Sequence, residues 1–377
     1  MPLSRCRVVF AAVASLLVAG SLGASASLSA PRAAGSGVSH AASIVAQYTA
    51  LPKFISPGPS FDAKKLAGKT IFSIPSSSAN LFVNTTDKAM QQLAQSAGLK
   101  YQTWTNQGQT SQYVQGMTTA ISRKVNIIDL LDGTDPRLIA PQIAQAKSAG
   151  IPVVDAHDLD LTQKPYPNLA ALVDMNAVLA GKIVAASVIA QTKGNADVLI
   201  ITSNNYSNSQ PVASGLKQEF AADCPKCKLS YANVNGVDWA TKIQPTVQSA
   251  ISRDTKLNYV VPVFDSMLEY VVPAVRTANA VGRVHAGSYN GTPAILNLIR
   301  TSNIVTVDVG ENPADIAAAA LDQCMRVLLH MKPSPDEHLV LRAFTAANVS
   351  QAGTPPKVGV GYGSAWLAGY KHTWGLS

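Results

Sequence analysis

Charge is scarce in this 377-residue chain: Asp, Glu, Lys and Arg make up 14% of it, and aromatic residues only 6%. So little charge excludes a polyelectrolyte or self-repelling disordered chain, and 47% hydrophobic residues is the composition of packed cores. Cysteine is nearly absent, with four residues, too few for a disulfide scaffold to stand in for a core. Catalytic signatures are missing too. There is no Gly-x-Ser-x-Gly elbow, no His-Glu-x-x-His pair and no Walker loop, and Gly359, Gly361 and Gly363 have the wrong spacing and place for a dinucleotide fingerprint. His40, His285, His330, His338 and His372 have no convincing catalytic partner in sequence, so an enzyme is not expected. The chain is formally basic, at +8, yet it has no Lys/Arg run interleaved with aromatics and no basic helix pair, which excludes nucleic acid as the expected partner.

What is present begins with a leader. Arg5 and Arg7 precede the apolar run Val8 to Val18, and Ala24-Ser25-Ala26 is a small-x-small pattern, so residues 1–26 read as an export signal cut after Ala26. Cys6 lies before the apolar run, the wrong side for a lipidated first residue, and no later stretch reads as a membrane span. An exported chain bears on Cys224-Pro225-Lys226-Cys227. A redox pair would be expected at a helix start, and zinc would need a second ligand pair. An oxidising compartment favours a small structural disulfide between Cys224 and Cys227. Cys324 falls in an apolar helical stretch and reads as packing.

Length favours two domains. Short apolar runs recur at Thr70–Ile74, Ile127–Leu131, Pro152–Val154, Val198–Ile201, Tyr259–Val263 and Ile304–Val309, separated by stretches with helical spacing such as Thr86–Ala97, Val178–Gln191 and Ile243–Ser252. Gly98, Gly150 and Gly282 follow three such stretches, where a helix would stop in the left-handed conformation. The alternation predicts βαβ units and parallel sheets, an α/β class in which ligands sit beyond the carboxyl ends of the strands. The stretch "KTIFSIPSSSANLF" places Ser77, Asn80 and Phe82 at such an end: polar groups for a neutral ligand and a ring for its C–H face. Read as an ordinary turn, the same segment would cap its helix with Asn84 or Thr85.

That opening, followed by "AGLKYQTWTNQGQTSQYVQGM", "NIIDLLDGTDPRLIAPQIAQAKSAGIPVVDAHDLD", "NAVLAGKIVA", "VPVFDSMLEYVVPAVRTA", "AGSYNGTPAILNLI" and "VDVGENPADIAAAALDQCMRVL", resembles the periplasmic sugar-binding proteins of the ribose/galactose type over roughly residues 61 to 345. The resemblance implies the type I periplasmic binding protein fold, two Rossmann-like lobes with parallel sheets joined by a three-segment hinge. The crossings would fall near 174–176, 311–312 and 331–335. After the leader, residues 27–60 would form an extension with a short helix at Ala41–Ala50. Residues 61–174 plus 312–332 would form the N-terminal lobe, and 175–311 plus 333–377 the C-terminal lobe, its extension packed along that second lobe. It further implies a solute-binding protein of an ABC importer, a monomer outside the cytoplasm, without cofactor or metal, that takes a monosaccharide or polyol and meets a membrane permease. Site residues carried over are Phe82, His157, Asp158, Trp239, Phe264, Asp265, Asn290 and Glu311, beside Ser77 and Asn80. Asn290 stands where an aspartate is usual, and Glu311 where an amide is typical. With more rings and fewer charges than expected, a nucleoside or small aromatic ligand is the alternative, as is a sensor serving a membrane kinase.

Overall fold

The computed structural model describes Ala34–Leu376; the leader expectation, 1–26, and the first residues of the extension lie outside the described residues. Helix α1 (Ala34–Thr49) precedes a five-stranded sheet of β1 (Thr70–Pro75), β2 (Lys100–Thr103), β3 (Ile127–Leu131), β4 (Val153–Asp160) and β5 (Ala171–Met175). Its order is β2-β1-β3-β4-β5 and every pairing is parallel. The connections carry α2 (Leu81–Ser96), α3 (Thr110–Ser122) and α4 (Ala140–Ser148). Helices cover both faces, so β3 is buried along its whole length and reads as a continuous apolar run broken only by Asp129.

The second sheet contains β6 (Asp197–Thr202), β7 (Lys228–Asn233), β8 (Tyr259–Pro262), β9 (His285–Asn290), β10 (Val305–Gly310) and β11 (Arg342–Thr345). Its order is β11-β10-β9-β8-β6-β7, parallel except for β11, which runs against β10. With it come α5 (Ala177–Gln191), α6 (Ser209–Asp223), α7 (Trp239–Arg253), α8 (Leu268–Thr277) and α9 (Pro293–Thr301). α5 has no polar face because α1, α6 and the sheet enclose it. It meets α6 at Gly181 and Gly215, where an added Cβ would lie 2.2 Å from the Val212 carbonyl oxygen and 2.0 Å from that of Val178. The two-lobed α/β architecture with parallel sheets matches expectation. Gly98, Gly150 and Gly282 do stop their helices at positive φ.

The chain passes between the sheets after β5, after β10 into α10 (Pro313–Leu328), which packs on α2 and the first sheet, and again between α10 and β11. Two further passages were not foreseen. α1 packs on α5, α6 and β11, so residues 50–62 must run from the second lobe to the first. The tail returns the same way: α11 (Ala365–Thr373) packs on α10, and Tyr370 and Trp374 belong to the first-lobe core. This corrects the expectation that the tail lies along the second lobe. Its rings are drawn to α10, where the Trp374 indole donates to Asp322 at 2.8 Å, and to the 50–62 strap, where Phe54 meets Tyr370 at 5.2 Å. The helix after β1 is also capped earlier than the turn reading proposed. Asn80, not Asn84 or Thr85, is its N-cap, its Oδ1 accepting from the Phe82 and Val83 amides at 2.9 and 3.3 Å.

Candidate ligand-binding site

The carboxyl ends of both sheets face one narrow cleft, with a cavity of about 30 Å³. From the first lobe come Ser76 and Asn80 after β1, Phe82 in the first turn of α2, Asp132 after β3 and His157 in β4. The second lobe adds Tyr206 and Asn208 after β6, Trp239 at the start of α7, Phe264 after β8 and Asn290 at the end of β9. Asp132, His157 and Asn290 have φ of 55°, 65° and 145°, so three non-glycine residues hold costly backbone where their side chains line the cleft, His157 at the irregularity within β4.

Rings form one wall. Tyr206, Trp239 and Phe264 contact one another with centroids 5.6 to 6.2 Å apart. Trp239 is fixed by its indole N–H, which donates to Ser203 Oγ at 3.0 Å and to the Val234 carbonyl at 3.2 Å. From the first lobe Phe82 lies 5.6 Å from the His157 ring.

His157 is the electrostatic centre. Its Nδ1 lies 3.3 Å from Asp132 Oδ1, and its Nε2 shares a short hydrogen bond with Glu311 Oε2. Burial opposes protonation of the imidazole, but the Glu311 charge and hydrogen bond, together with the adjacent Asp132, outweigh it and raise the pKa to about 10. The ring is therefore an imidazolium at neutral pH. The Asp132 carboxyl is pushed upward by burial, with His157 pulling the other way. Around this centre several buried acceptors have no hydrogen-bond partner within the protein: both Asp132 oxygens, Glu311 Oε1, Asn208 Oδ1 and Ser76 Oγ. The Asp132–His157 approach is an ion pair without hydrogen-bond alignment, so those oxygens remain available.

The residues singled out in the sequence divide. Asn80, Phe82, His157, Trp239, Phe264 and Asn290 line the cleft; Glu311 lies beneath, bonded to His157. Ser77 sits nearer the mouth with Gln107 and Val237. Asp158 is outside the lining and accepts from the Ser207 hydroxyl across the lobes, burial holding its pKa near about 6. Asp265 accepts from the Thr292 amide at 2.6 Å and its hydroxyl at 2.8 Å, joining two loops of the second lobe. Asp132, Tyr206 and Asn208 were not singled out. Each follows a strand, in "DLLDGTDP" and "TSNNYSNSQ", so the strand-end rule applied to the first loop would have found them.

Cys224 and Cys227 are joined, closing a short loop between α6 and β7. Among the described residues, His40, Glu219 and Asp223 bring ligand atoms within 4.8 Å of one another, a group able to hold a metal, but it joins α1 to α6 and is no part of the cleft lining.

Two α/β lobes around a cleft of rings and buried acceptors define a binding protein for a small solute. Residues 70–332 match the periplasmic binding protein domain, and the chain belongs to that family. No curated protein matches it in sequence. Among solved structures it is similar to an ABC transporter periplasmic solute-binding protein from Actinobacillus succinogenes with bound D-allose, at 17% identity and a TM-score of 0.66, over 75% of this chain and 99% of that one. A solute-binding protein from Bacillus halodurans with bound myo-inositol aligns at 16% identity and 0.66, over 77% and 98%. One from Burkholderia graminis in complex with D-arabinose aligns at 20% and 0.66, over 75% and 97%.

Proposed function

We propose that this chain is an extracytoplasmic solute-binding protein of an ABC importer, capturing a monosaccharide or polyol between its lobes. The observation that carries this reading is the set of buried polar atoms without hydrogen-bond partners at Asp132, Asn208 and Ser76, lining one cleft with Phe82 and the Tyr206, Trp239 and Phe264 rings. Hydroxyl groups supply the donors those oxygens lack, and the C–H faces of a sugar pack on rings. Family membership, and neighbours crystallised with allose, inositol and arabinose, support the same solute class. The lobes would close on the ligand about the inter-sheet passages, because contacts from both sides are complete only in the closed form. A membrane permease reading that form is the implied partner, and the protein would act as a monomer that binds without catalysis. Among the described residues no helix is long and apolar enough to cross a membrane.

Thermal shift of the mature protein against D-allose, myo-inositol, D-arabinose, allitol, nucleosides and charged amino acids tests it, followed by calorimetry on the best ligand. A neutral sugar or polyol binding one to one is the expected result; stabilisation by charged solutes alone would refute it. The four rings favour one second reading, a nucleoside or small aromatic ligand, which the same panel separates.

A further inference from the structure

A second cavity, of about 100 Å³, lies beside the passage from β10 into α10. It shares no lining residue with the cleft. Lys53 and Phe54 come from the strap after α1, Asp315 from the first turn of α10, Glu337 from the segment before β11, and Tyr362 and Trp366 from the tail. All but Asp315 lie outside the residues that match the family.

Its chemistry is lopsided. Asp315 and Glu337 are 5% and 4% exposed, and both line the cavity. Glu337 Oε2 accepts from the Tyr370 hydroxyl at 3.1 Å, and the Glu337 carboxyl also meets Asp322. The protein offers these acids little positive charge: Arg326 is hydrogen-bonded to Asp322, His338 faces Asp336 at 3.1 Å, and exposed Lys53 forms no ion pair among the described residues. Phe54, Tyr362 and Trp366 supply aromatic surface in the same wall.

We propose that this cavity is a second binding site, for a small organic ammonium ion. Ring faces attract a cation through their quadrupole, and the Asp315 carboxylate, once ionised, adds its charge. An anion would face two acids.

Occupancy is linked to protons. Burial, with the Glu311 charge adding, raises Asp315 to about 7; burial, with Asp322 adding, raises Glu337 well above the carboxylate range, against Tyr370 and Arg326. Lys53, Glu311, His338, Tyr362, Tyr370, Asp322 and Arg326 are the titratable and charged groups around the two acids. A cation stabilises the ionised forms, so its affinity rises as pH climbs through about 7.

Calorimetry on the whole chain with choline, and with its uncharged isostere 3,3-dimethylbutan-1-ol, tests this. Choline should bind one to one at about pH 8.5 and about tenfold or more weaker at about pH 5.5, the isostere not at all. Asp315→Asn and Trp366→Ala should each weaken choline by about fivefold or more; Asp315→Asn is nearly isosteric, and a melting curve shows whether it remains folded. No choline binding to wild type up to about 10 mM, equal binding of the isostere, or affinity independent of pH would each overturn the proposal.

Discussion

His157 in the first lobe and Glu311 in the passage leaving the second, 154 residues apart in the chain, share a hydrogen bond inside the cleft. The pair ties the wall that carries Phe82 to the segment between β10 and α10, so the charge state of the site and the contact between its lobes are one relationship.

Removing the Glu311 charge should therefore be felt at His157. In Glu311→Gln the imidazole loses its largest favourable charge while burial still opposes protonation, so its pKa should fall from about 10 by more than a unit. An NMR titration of the His157 ring checks this; an unchanged value would mean that Glu311 does not hold the proton there.

Stability should fall as the solution is made basic. Burial raises Asp174 and Asp265 to about 6, and Glu219 and Asp315 to about 7, and in the site His157 is raised to about 10. Each shift places the folded pKa above the unfolded one, so the native chain binds more protons through that window. The stabilisation is complete below the unfolded values and is lost as pH passes the folded ones. The melting temperature should be higher at about pH 5 than at about pH 8, and a rise across that interval would contradict the assignment.

Truncating Phe82 or Trp239 to alanine should weaken ligand binding by about 1 to 3 kcal/mol, about five- to 150-fold. Losses in the double mutant should be less than additive, because a ligand freed from one ring can tilt away from the other. Calorimetry on the four variants decides it, and wild-type affinity in both single mutants would remove the rings from the site. Trp239→Ala should also lower the melting temperature, since its indole holds Ser203 and Val234.

Replacing Cys224 and Cys227 by serine should leave affinity within a few-fold, since the pair sits where β7 begins, at the opposite strand end from the cleft. Stability should drop modestly, because so short a loop removes little unfolded-chain entropy. Abolished binding would place the pair in the site.

Trp374→Ala tests the docking of the tail. The side chain is wholly buried against α10, so its loss should cost about 3 to 5 kcal/mol and destabilise the first lobe. Chemical denaturation of wild type and mutant measures it, and a change below about 1 kcal/mol would mean the tail is dispensable to that core.

Local patterns carried the fold class. Runs such as Ile127–Leu131 and Tyr259–Val263 are apolar because parallel strands are covered on both faces, and that requirement is written residue by residue. The strand-end rule likewise brought out Phe82, since it needs only the end of a run, whereas His157 and Asn290 came from the resemblance to the sugar-binding proteins. Shorter or more polar strands escaped: β2, with Lys100 and Gln102, and β11, held antiparallel by β10, have no apolar run to read.

Only the tertiary structure decided where the two terminal segments go and which polar residues face each other. Trp366, Tyr370 and Trp374 announce that the tail must be buried, but no local pattern says against which lobe, because burial is satisfied by any matching surface. Asp132, His157 and Glu311 are unremarkable apart in the chain; brought together, the two acids hold a proton on the buried imidazole, since that coupling depends on distance in space. The cavity between strap, α10 and tail has the same origin, four stretches of chain meeting around two buried acids that sequence alone leaves far apart.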